Sequence, residues 1–180
     1  MKRLLLLLIL PLIATSCWKE IFGPDTTPSK HVIYYTSTDG NTIDIHRNMI
    51  GQIFGVRVLS NTYEDGVGKI VFNRDISSVN TWFHNSYDLK TITLPASVNC
   101  IDDGAFSYCS NLERIEMTEN VAWVGNGAFA DCITLTEVDL PSSVTKIGQG
   151  AYSGCVNLTN VELHEGLEQI GDKLFKDCTN

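Results

Sequence analysis

Apolar positions recur with a constant period of 23 residues along the second half of the chain. The same positions are apolar in every unit: Ile92, Ile115, Val138 and Val161; then Leu94, Met117, Leu140 and Leu163; then the aromatic residues Phe106, Phe129, Tyr152 and Phe175. A weaker copy, one residue short, begins at Ile70. A unit of this size cannot bury its apolar face alone, so the period predicts a solenoid of about five stacked units over residues 70–180, the last one incomplete.

Each unit contains two short extended segments. The alternation that ends in Ile115 and Met117 predicts a short strand, and its copies should stack as a parallel sheet at a spacing of about 4.8 Å. The following "VAWVGNGAFADC" spaces its apolar positions by three and five with glycines between them, which predicts a second extended piece and then a tight turn or single helical turn.

Residues 31–69 are predicted to form a β cap over the first unit. Two alternating runs flank Asp39–Gly40, which is a strong hairpin signal, and a second turn at residues 64–68 leads into the repeats. A solenoid needs its end strand covered to remain soluble, which favours a cap over the alternative of a separate ligand-binding module.

Four cysteines follow the same period: Cys109, Cys132, Cys155 and Cys178, hereafter the cysteine ladder. Stacked at about 4.8 Å per step, their sulfurs would span roughly 14 Å, whereas a tetrahedral zinc ion needs each sulfur within about 2.3 Å. A shared zinc site is therefore excluded. Disulfides remain an alternative, but we expect a small, mostly apolar side chain facing the solenoid axis, and Ser86 at the aligned position of the first unit fits that role.

The N-terminus has the pattern of an exported lipoprotein. Lys2 and Arg3 precede an apolar run that is too short to span a bilayer, and the run ends in "IATSC". We expect residues 1–16 to be a lipoprotein signal peptide, Cys17 to carry the lipid, and residues 17–30 to form a flexible tether. An ordinary signal peptide with an incidental cysteine is the alternative.

The units "ITLPASVNCIDDGAFSYCSNL" and "VDLPSSVTKIGQGAYSGCVNL" resemble BspA-like, treponemal-type leucine-rich repeats. The Leu-Pro, Val-x-x-Ile, Ala-aromatic and Cys-x-x-Leu elements recur together. The resemblance implies a leucine-rich-repeat solenoid in a bacterial, often surface-exposed scaffold that acts in adhesion to host proteins or other cells. It implies no catalytic residues.

The net charge of the chain and its lack of catalytic motifs exclude several classes of function. The formal charge of −8 argues against nucleic-acid binding. The stretch from Gly125 to Ala130 spells G-x-G-x-x-A, but the same glycines recur in the next unit without a βαβ context, so they are turn glycines. No hydrolase elbow or metalloprotease helix is present in the sequence. We therefore expect neither an enzyme, nor a cofactor, nor a metal site.

The outward positions of the repeat strands form the candidate partner-binding face. One predicted row holds Lys69, Thr91, Arg114, Glu137 and Asn160, and a second holds Val71, Thr93, Glu116, Asp139 and Glu162. We call Arg114, Glu116, Glu137, Asp139, Asn160 and Glu162 the strand face. Its successive carboxylates indicate either a basic partner or bound cation, or simply a solvated surface, which screening by salt would tolerate.

These patterns predict a binding module anchored to the cell envelope or outer-membrane surface, attached to the membrane by lipid alone, with a protein partner. The alternative is a structural or truncated repeat fragment without a ligand of its own. Because the sequence stops just before the next strand would begin, we also expect either a longer repeat array or edge-to-edge self-association through the strand around Val161.

Overall fold

The structure, a computed structural model, describes residues 31–45 and 55–180. Its elements in chain order are β1 Val32–Ser37, β2 Val58–Glu64, β3 Val67–Phe72, β4 Ser78–Val79, a 3-10 turn Thr81–Phe83, β5 Leu89–Thr93, β6 Cys100–Ile101, β7 Arg114–Glu116, β8 Trp123–Val124, β9 Glu137–Asp139, β10 Lys146–Ile147, β11 Asn160–Glu162 and β12 Gln169–Ile170. Short strands from successive repeats stack in two rows, and the predicted leucine-rich-repeat solenoid is confirmed.

The second strand of each repeat forms a continuous parallel row. Strands β4, β6, β8, β10 and β12 pair in that order, and their apolar residues are in register: Val79, Ile101, Val124, Ile147 and Ile170. The row crosses five repeats, and each strand is two residues long. This row reproduces the second extended piece and the 23-residue period inferred from the sequence.

The first strand of each repeat forms an interrupted row. Strand β5 pairs with β7, placing Ile92 beside Ile115, and β9 pairs with β11, placing Val138 beside Val161. Strands β7 and β9 are not hydrogen-bonded to each other and lie at the edges of two different sheets. The prediction of an unbroken ladder along this row is therefore wrong at one step.

The N-terminal cap forms its hairpin at the second of the two predicted turns, not at the first. The described residues contain a hairpin of β2 and β3, which turns at Asp65–Gly66, instead of a hairpin around Asp39–Gly40. Strand β1 runs antiparallel between β3 and β5, so the strand containing Ile70 does not stack directly on the strand containing Ile92. The predicted adjacency of Lys69 with Thr91, and of Val71 with Thr93, is wrong for the same reason.

The chain does turn at Gly40, but side chains replace the expected second strand. The amide of Ile43 donates to the hydroxyl of Tyr35 over 3.3 Å, and the carbonyl of Ile43 accepts from Asn61 Nδ2 over 2.9 Å. Because these side chains satisfy its backbone groups, Ile43 is buried without a strand partner.

Aromatic residues form a stack through the core. Phe83, Phe106, Phe129 and Tyr152 lie ring over ring, with centroids 5.3, 5.3 and 5.2 Å apart. The last two pairs are nearly parallel, with an angle of 4° between ring planes. Each repeat therefore contributes one ring to a continuous column, because its own apolar face is covered only by its neighbours.

The turns after the second row approach one another closely. A Cβ placed on Gly125 would lie 2.5 Å from the main-chain nitrogen of Asp103, and a Cβ on Gly148 or Gly171 would collide with the preceding turn in the same way. Gly125 is the first glycine of the G-x-G-x-x-A sequence, and the close approach of backbone to backbone explains it, whereas Gly127 has a positive φ of 55° that favours glycine.

Candidate functional site: the strand face and an adjacent cleft

The strand face lies on three strands, β7, β9 and β11. Glu137 is in register with Asn160, and Asp139 with Glu162, on paired strands. Arg114 and Glu116 lie on β7, which pairs with β5 on its other side. The interruption between β7 and β9 therefore divides the six residues into two groups, and the predicted succession of three carboxylates is broken between Glu116 and Asp139.

The charged groups of the strand face have unequal surroundings. Arg114 Nη2 lies 3.6 Å from Glu116 Oε1, and Thr93 Oγ1 donates to Glu116 Oε2 over 3.0 Å. Among the described residues, Glu137, Asp139 and Glu162 form no ion pair within 4.0 Å. An excess of uncompensated negative charge therefore lies on the side of β9 and β11.

A cleft of about 270 Å³ opens where β7 and β9 separate. Its lining combines apolar, acidic and hydroxyl side chains: Leu94, Ile115, Met117, Leu135, Val138 and Pro141; Glu116, Glu119, Glu137 and Asp139; Thr93, Thr118 and Tyr152; and Arg114. Four residues of the strand face thus border a concave site. The constant repeat period predicts neither this cleft nor the participation of Thr118 and Tyr152.

The cysteine ladder connects consecutive repeats. The Sγ of Cys109, Cys132, Cys155 and Cys178 donates to the carbonyl oxygens of Phe83, Phe106, Phe129 and Tyr152 in turn, over distances of 3.0, 3.2, 3.2 and 3.2 Å. All four cysteines are free, and the first three are fully buried. The position holds a small side chain that also donates a hydrogen bond, a role that apolar periodicity alone does not reveal.

Burial makes the first three thiols of the cysteine ladder chemically unreactive. It raises the pKa of Cys109 and of Cys155 to about 12, and that of Cys132 well above its usual value. Because their pKa values are raised, these cysteines remain protonated thiols at neutral pH. The thiolate is the nucleophilic and metal-binding form of cysteine, so protonation keeps them unreactive. Their geometry supports a structural role.

The remaining candidate features lie outside this region. Cys17 falls outside the described residues. Within residues 31–45 and 55–180, no cluster of three or more His, Cys, Asp or Glu side chains is arranged to hold a metal ion. No helix in the same ranges is long and apolar enough to cross a bilayer.

The repeat region of the chain, which makes up most of its length, also matches a known sequence family. The sequence profile described as the BspA type leucine rich repeat region matches residues 63–180 in six copies. The chain belongs to the BspA-type leucine-rich-repeat family. The resemblance inferred from the repeat motifs is thereby confirmed, and proteins with leucine-rich repeats generally mediate protein–protein interactions.

Solved structures of bacterial leucine-rich-repeat proteins are similar to this BspA-type chain. The T. pallidum leucine-rich-repeat protein is 32% identical, with a TM-score of 0.57 over 59% of this chain and 50% of its own. A leucine-rich cell surface protein from Faecalibacterium prausnitzii is 29% identical, with a TM-score of 0.56 over 59% of this chain and 28% of its own.

A leucine-rich-repeat protein from Bacteroides ovatus, 22% identical, shares the fold with a TM-score of 0.50 over 86% of this chain and 45% of its own. The matched region therefore spans half or less of each of these three structures. No curated protein matches the BspA-type chain.

Proposed function

We propose that this protein is a binding module held at the bacterial cell envelope by lipid on Cys17. Its strand face contacts a protein partner on a host cell or a neighbouring cell, and this contact mediates adhesion. The short apolar run ending in "IATSC" supports the anchor. The relative described as a cell surface protein supports the location.

The carboxylates without ion pairs on the strand face carry the proposal for a basic partner surface. Asp139 and Glu162 are directly paired on neighbouring strands and, within the described part of the chain, neither has a cationic partner. Like charges opposite each other are unfavourable by some tenths of a kcal/mol. A positively charged partner would remove that repulsion and accelerate association through electrostatic attraction.

Binding of the mature protein to labelled extracellular-matrix proteins tests the role in adhesion. The double variant Asp139→Lys/Glu162→Lys should weaken binding about tenfold or more and reduce its salt dependence, because it reverses the charge of the face. Asp172→Lys changes the same kind of charge at an exposed turn outside the strand face and serves as the control. Equal loss in both variants would indicate a general charge effect and contradict the proposed face.

Mass spectrometry of membrane fractions tests the anchor separately. We expect an N-terminal peptide beginning at Cys17 with the added mass of acyl chains. A soluble product that is processed before Cys17 but carries no lipid would refute the anchoring and leave the binding face to be judged by its own experiment.

A second function is favoured by the exposed last repeat. Leu163 and Ile170 are 44% and 51% exposed, whereas the equivalent Leu140 and Ile147 are 8% and 3% exposed. A further repeat stacked on this one, or edge-to-edge association with a second copy of the 180-residue chain, would cover these apolar side chains, and in either case the repeats would serve as a structural element without another ligand. Light scattering at increasing protein concentration distinguishes this assembly from a monomeric binding module.

A further inference from the structure

The two rows of strands behave differently at one step of the solenoid. Strands β8 and β10 pair in register, with Trp123 beside Lys146. Strands β7 and β9, which belong to the same two repeats, do not pair with each other, and few of their Cα atoms approach within 8 Å of one another. The repeats thus remain stacked on one side and separate on the other, where the cleft opens.

Two departures from the repeat sequence meet in this cleft. Met117–Thr118 stands where the neighbouring repeats have Leu94–Pro95 and Leu140–Pro141. Tyr152 occupies the position that is phenylalanine in the other three repeats that carry a cysteine of the ladder. Thr118 and Tyr152 are far apart in the sequence, yet both line the opening between β7 and β9. Each departure places a hydroxyl group there that the repeat consensus lacks.

Neither hydroxyl has a hydrogen-bond partner in the described part of the chain. Tyr152 is 1% exposed and its hydroxyl oxygen is buried, as is the Oγ1 of Thr118. A buried hydroxyl without a partner costs roughly 1–3 kcal/mol, a cost that phenylalanine and proline at these positions would avoid. Burial also raises the pKa of Tyr152, so its phenol is neutral and offers both a donor and an acceptor.

The walls and rim of the cleft define the ligand that would satisfy these hydroxyls. Ile115 and Met117 are only half buried, whereas the equivalent Ile92 and Leu94 are fully buried, so an apolar wall is accessible. Glu137 and Asp139 add negative charge at the rim without an ion pair among the described residues. A complementary group has an apolar stem and a terminal cation.

We propose that the cleft between β7 and β9 binds a lysine side chain of the protein partner, with the ammonium group donating to the hydroxyl oxygens of Tyr152 and Thr118 and to a rim carboxylate. The inference rests on the proposed binding function and names the group that the partner supplies. A lysine stem is flexible and apolar, and its ammonium group has three donors for dispersed acceptors. A guanidinium fits less well, because its rigid planar fork is broader than a compact ammonium group and is poorly matched to single, buried hydroxyl oxygens. A metal ion is disfavoured because the described residues hold no cluster of three ligands.

Peptide titration followed by NMR tests the proposal on the mature chain. The probe is acetyl-Gly-Gly-Lys-Gly-Gly-amide, and the matched peptides replace lysine with norleucine, Nε-acetyl-lysine or arginine. We expect saturable shifts of amide signals from residues 115–118 and 137–140 with the lysine peptide, in the millimolar range. Norleucine and acetyl-lysine should give no saturation, and arginine should bind several-fold more weakly.

Two variants replace Tyr152 and Thr118 by the residues found at the equivalent positions of neighbouring repeats. Each variant removes one of the two buried hydroxyl groups. Tyr152→Phe should weaken lysine-peptide binding about tenfold, as expected for the loss of a hydrogen bond to a charged group, and should raise the melting temperature. Thr118→Pro should also weaken binding and remain folded, since Pro95 and Pro141 occupy the equivalent positions. Asp172→Asn changes a carboxylate at an exposed turn that belongs neither to the strand face nor to the cleft lining, so binding should stay within twofold.

Any one of three results would overturn the proposal. These are an unchanged affinity of Tyr152→Phe for the lysine peptide, equal binding of the norleucine peptide, and an absence of saturable shifts with the lysine peptide. If these results occur while the charge-reversal variant still loses its partner, the binding face stands and the lysine site is wrong. If the charge-reversal variant also binds normally, both proposals fail.

Discussion

The carbonyl oxygen of Phe106 accepts two hydrogen bonds: one from the amide of Cys109 over 3.1 Å, and one from the thiol of Cys132 over 3.2 Å. The first lies within a repeat and the second connects that repeat to the next. The carbonyl of Phe129 makes the same pair of contacts with Cys132 and Cys155. The stability of each turn is therefore coupled to the side chain that follows 26 residues later.

Replacing Cys132 with alanine should destabilise the protein by about 1–2 kcal/mol, because the change removes both the sulfur volume and the second donor to Phe106. Cys132→Ser should cost less, since a hydroxyl can donate to the same carbonyl. Urea unfolding followed by circular dichroism provides the comparison. A serine variant less stable than the alanine variant would show that the hydrogen bond is unimportant.

The free, buried thiols should resist labelling in the native protein. A maleimide reagent at neutral pH should leave Cys109, Cys132 and Cys155 unmodified, and all ladder cysteines should react after denaturation without reductant. Intact-mass measurement before and after denaturation gives the number of modified thiols. Labelling that requires reduction would instead establish disulfide bonds.

Stability should fall at alkaline pH because of the same thiols. Burial raises the pKa of Cys109 and of Cys155 from 9.0 to about 12, so the unfolded chain loses these protons before the folded chain does. Their contribution is fully present below pH 9.0 and declines as the pH rises towards about 12. Urea midpoints measured across this interval should decrease more steeply for the parent than for Cys109→Ser. Identical slopes would contradict this assignment.

Adding a methyl group at Gly125 should be strongly destabilising, by about 2–4 kcal/mol. The Cβ of Gly125→Ala would lie 2.6 Å from the carbonyl carbon of Asp102, and backbone cannot move aside as a flexible side chain can. Gly166→Ala is the matched control, because the nearest neighbour of its Cβ is the side-chain Nδ1 of His164 at 3.0 Å and no backbone atom lies closer than 3.5 Å. Thermal unfolding of both variants makes the comparison, and a similar loss in each would mean that the contact between turns is not limiting.

Hydrogen exchange should show the last repeat of the 180-residue chain to be the least protected. Residues 161–180 contain exposed apolar side chains whose equivalents in earlier repeats are buried, and within the described ranges β12 pairs with β10 alone. Local opening therefore exposes little additional surface and needs less free energy than opening of residues 92–140. Mass spectrometry of exchanged peptides from dilute monomer should resolve the difference. Uniform protection across all repeats would refute it.

The period, the apolar positions and the two strands of each repeat could be predicted because each depends on local sequence and on contacts that recur. The hairpin could not be located from turn residues alone. Asp39–Gly40 and Asp65–Gly66 carry the same signal, and the choice depends on distant groups such as Asn61, which satisfies the backbone of Ile43. Register between strands is set by such tertiary contacts.

The six strand-face residues could be placed on strands from alternation, and all lie on β7, β9 and β11. The cleft between them was not predicted, because extrapolating a constant period assumes that every step is equal. Its signal was nevertheless present in the sequence as Met117–Thr118 and Tyr152, which differ from the neighbouring repeats. Deviations from a repeat therefore carry more information about a site than the repeat itself.

The glycine contacts between turns have a consequence for the dimensions of the molecule. Because Gly125, Gly148 and Gly171 each bring one backbone into van der Waals contact with the turn before it, the rise per repeat on that side is at its steric minimum. Additional repeats of this kind would lengthen the protein by equal increments at constant width. The length of such a molecule is then proportional to the number of repeats, and gene duplication of a single unit adjusts that length without a new fold.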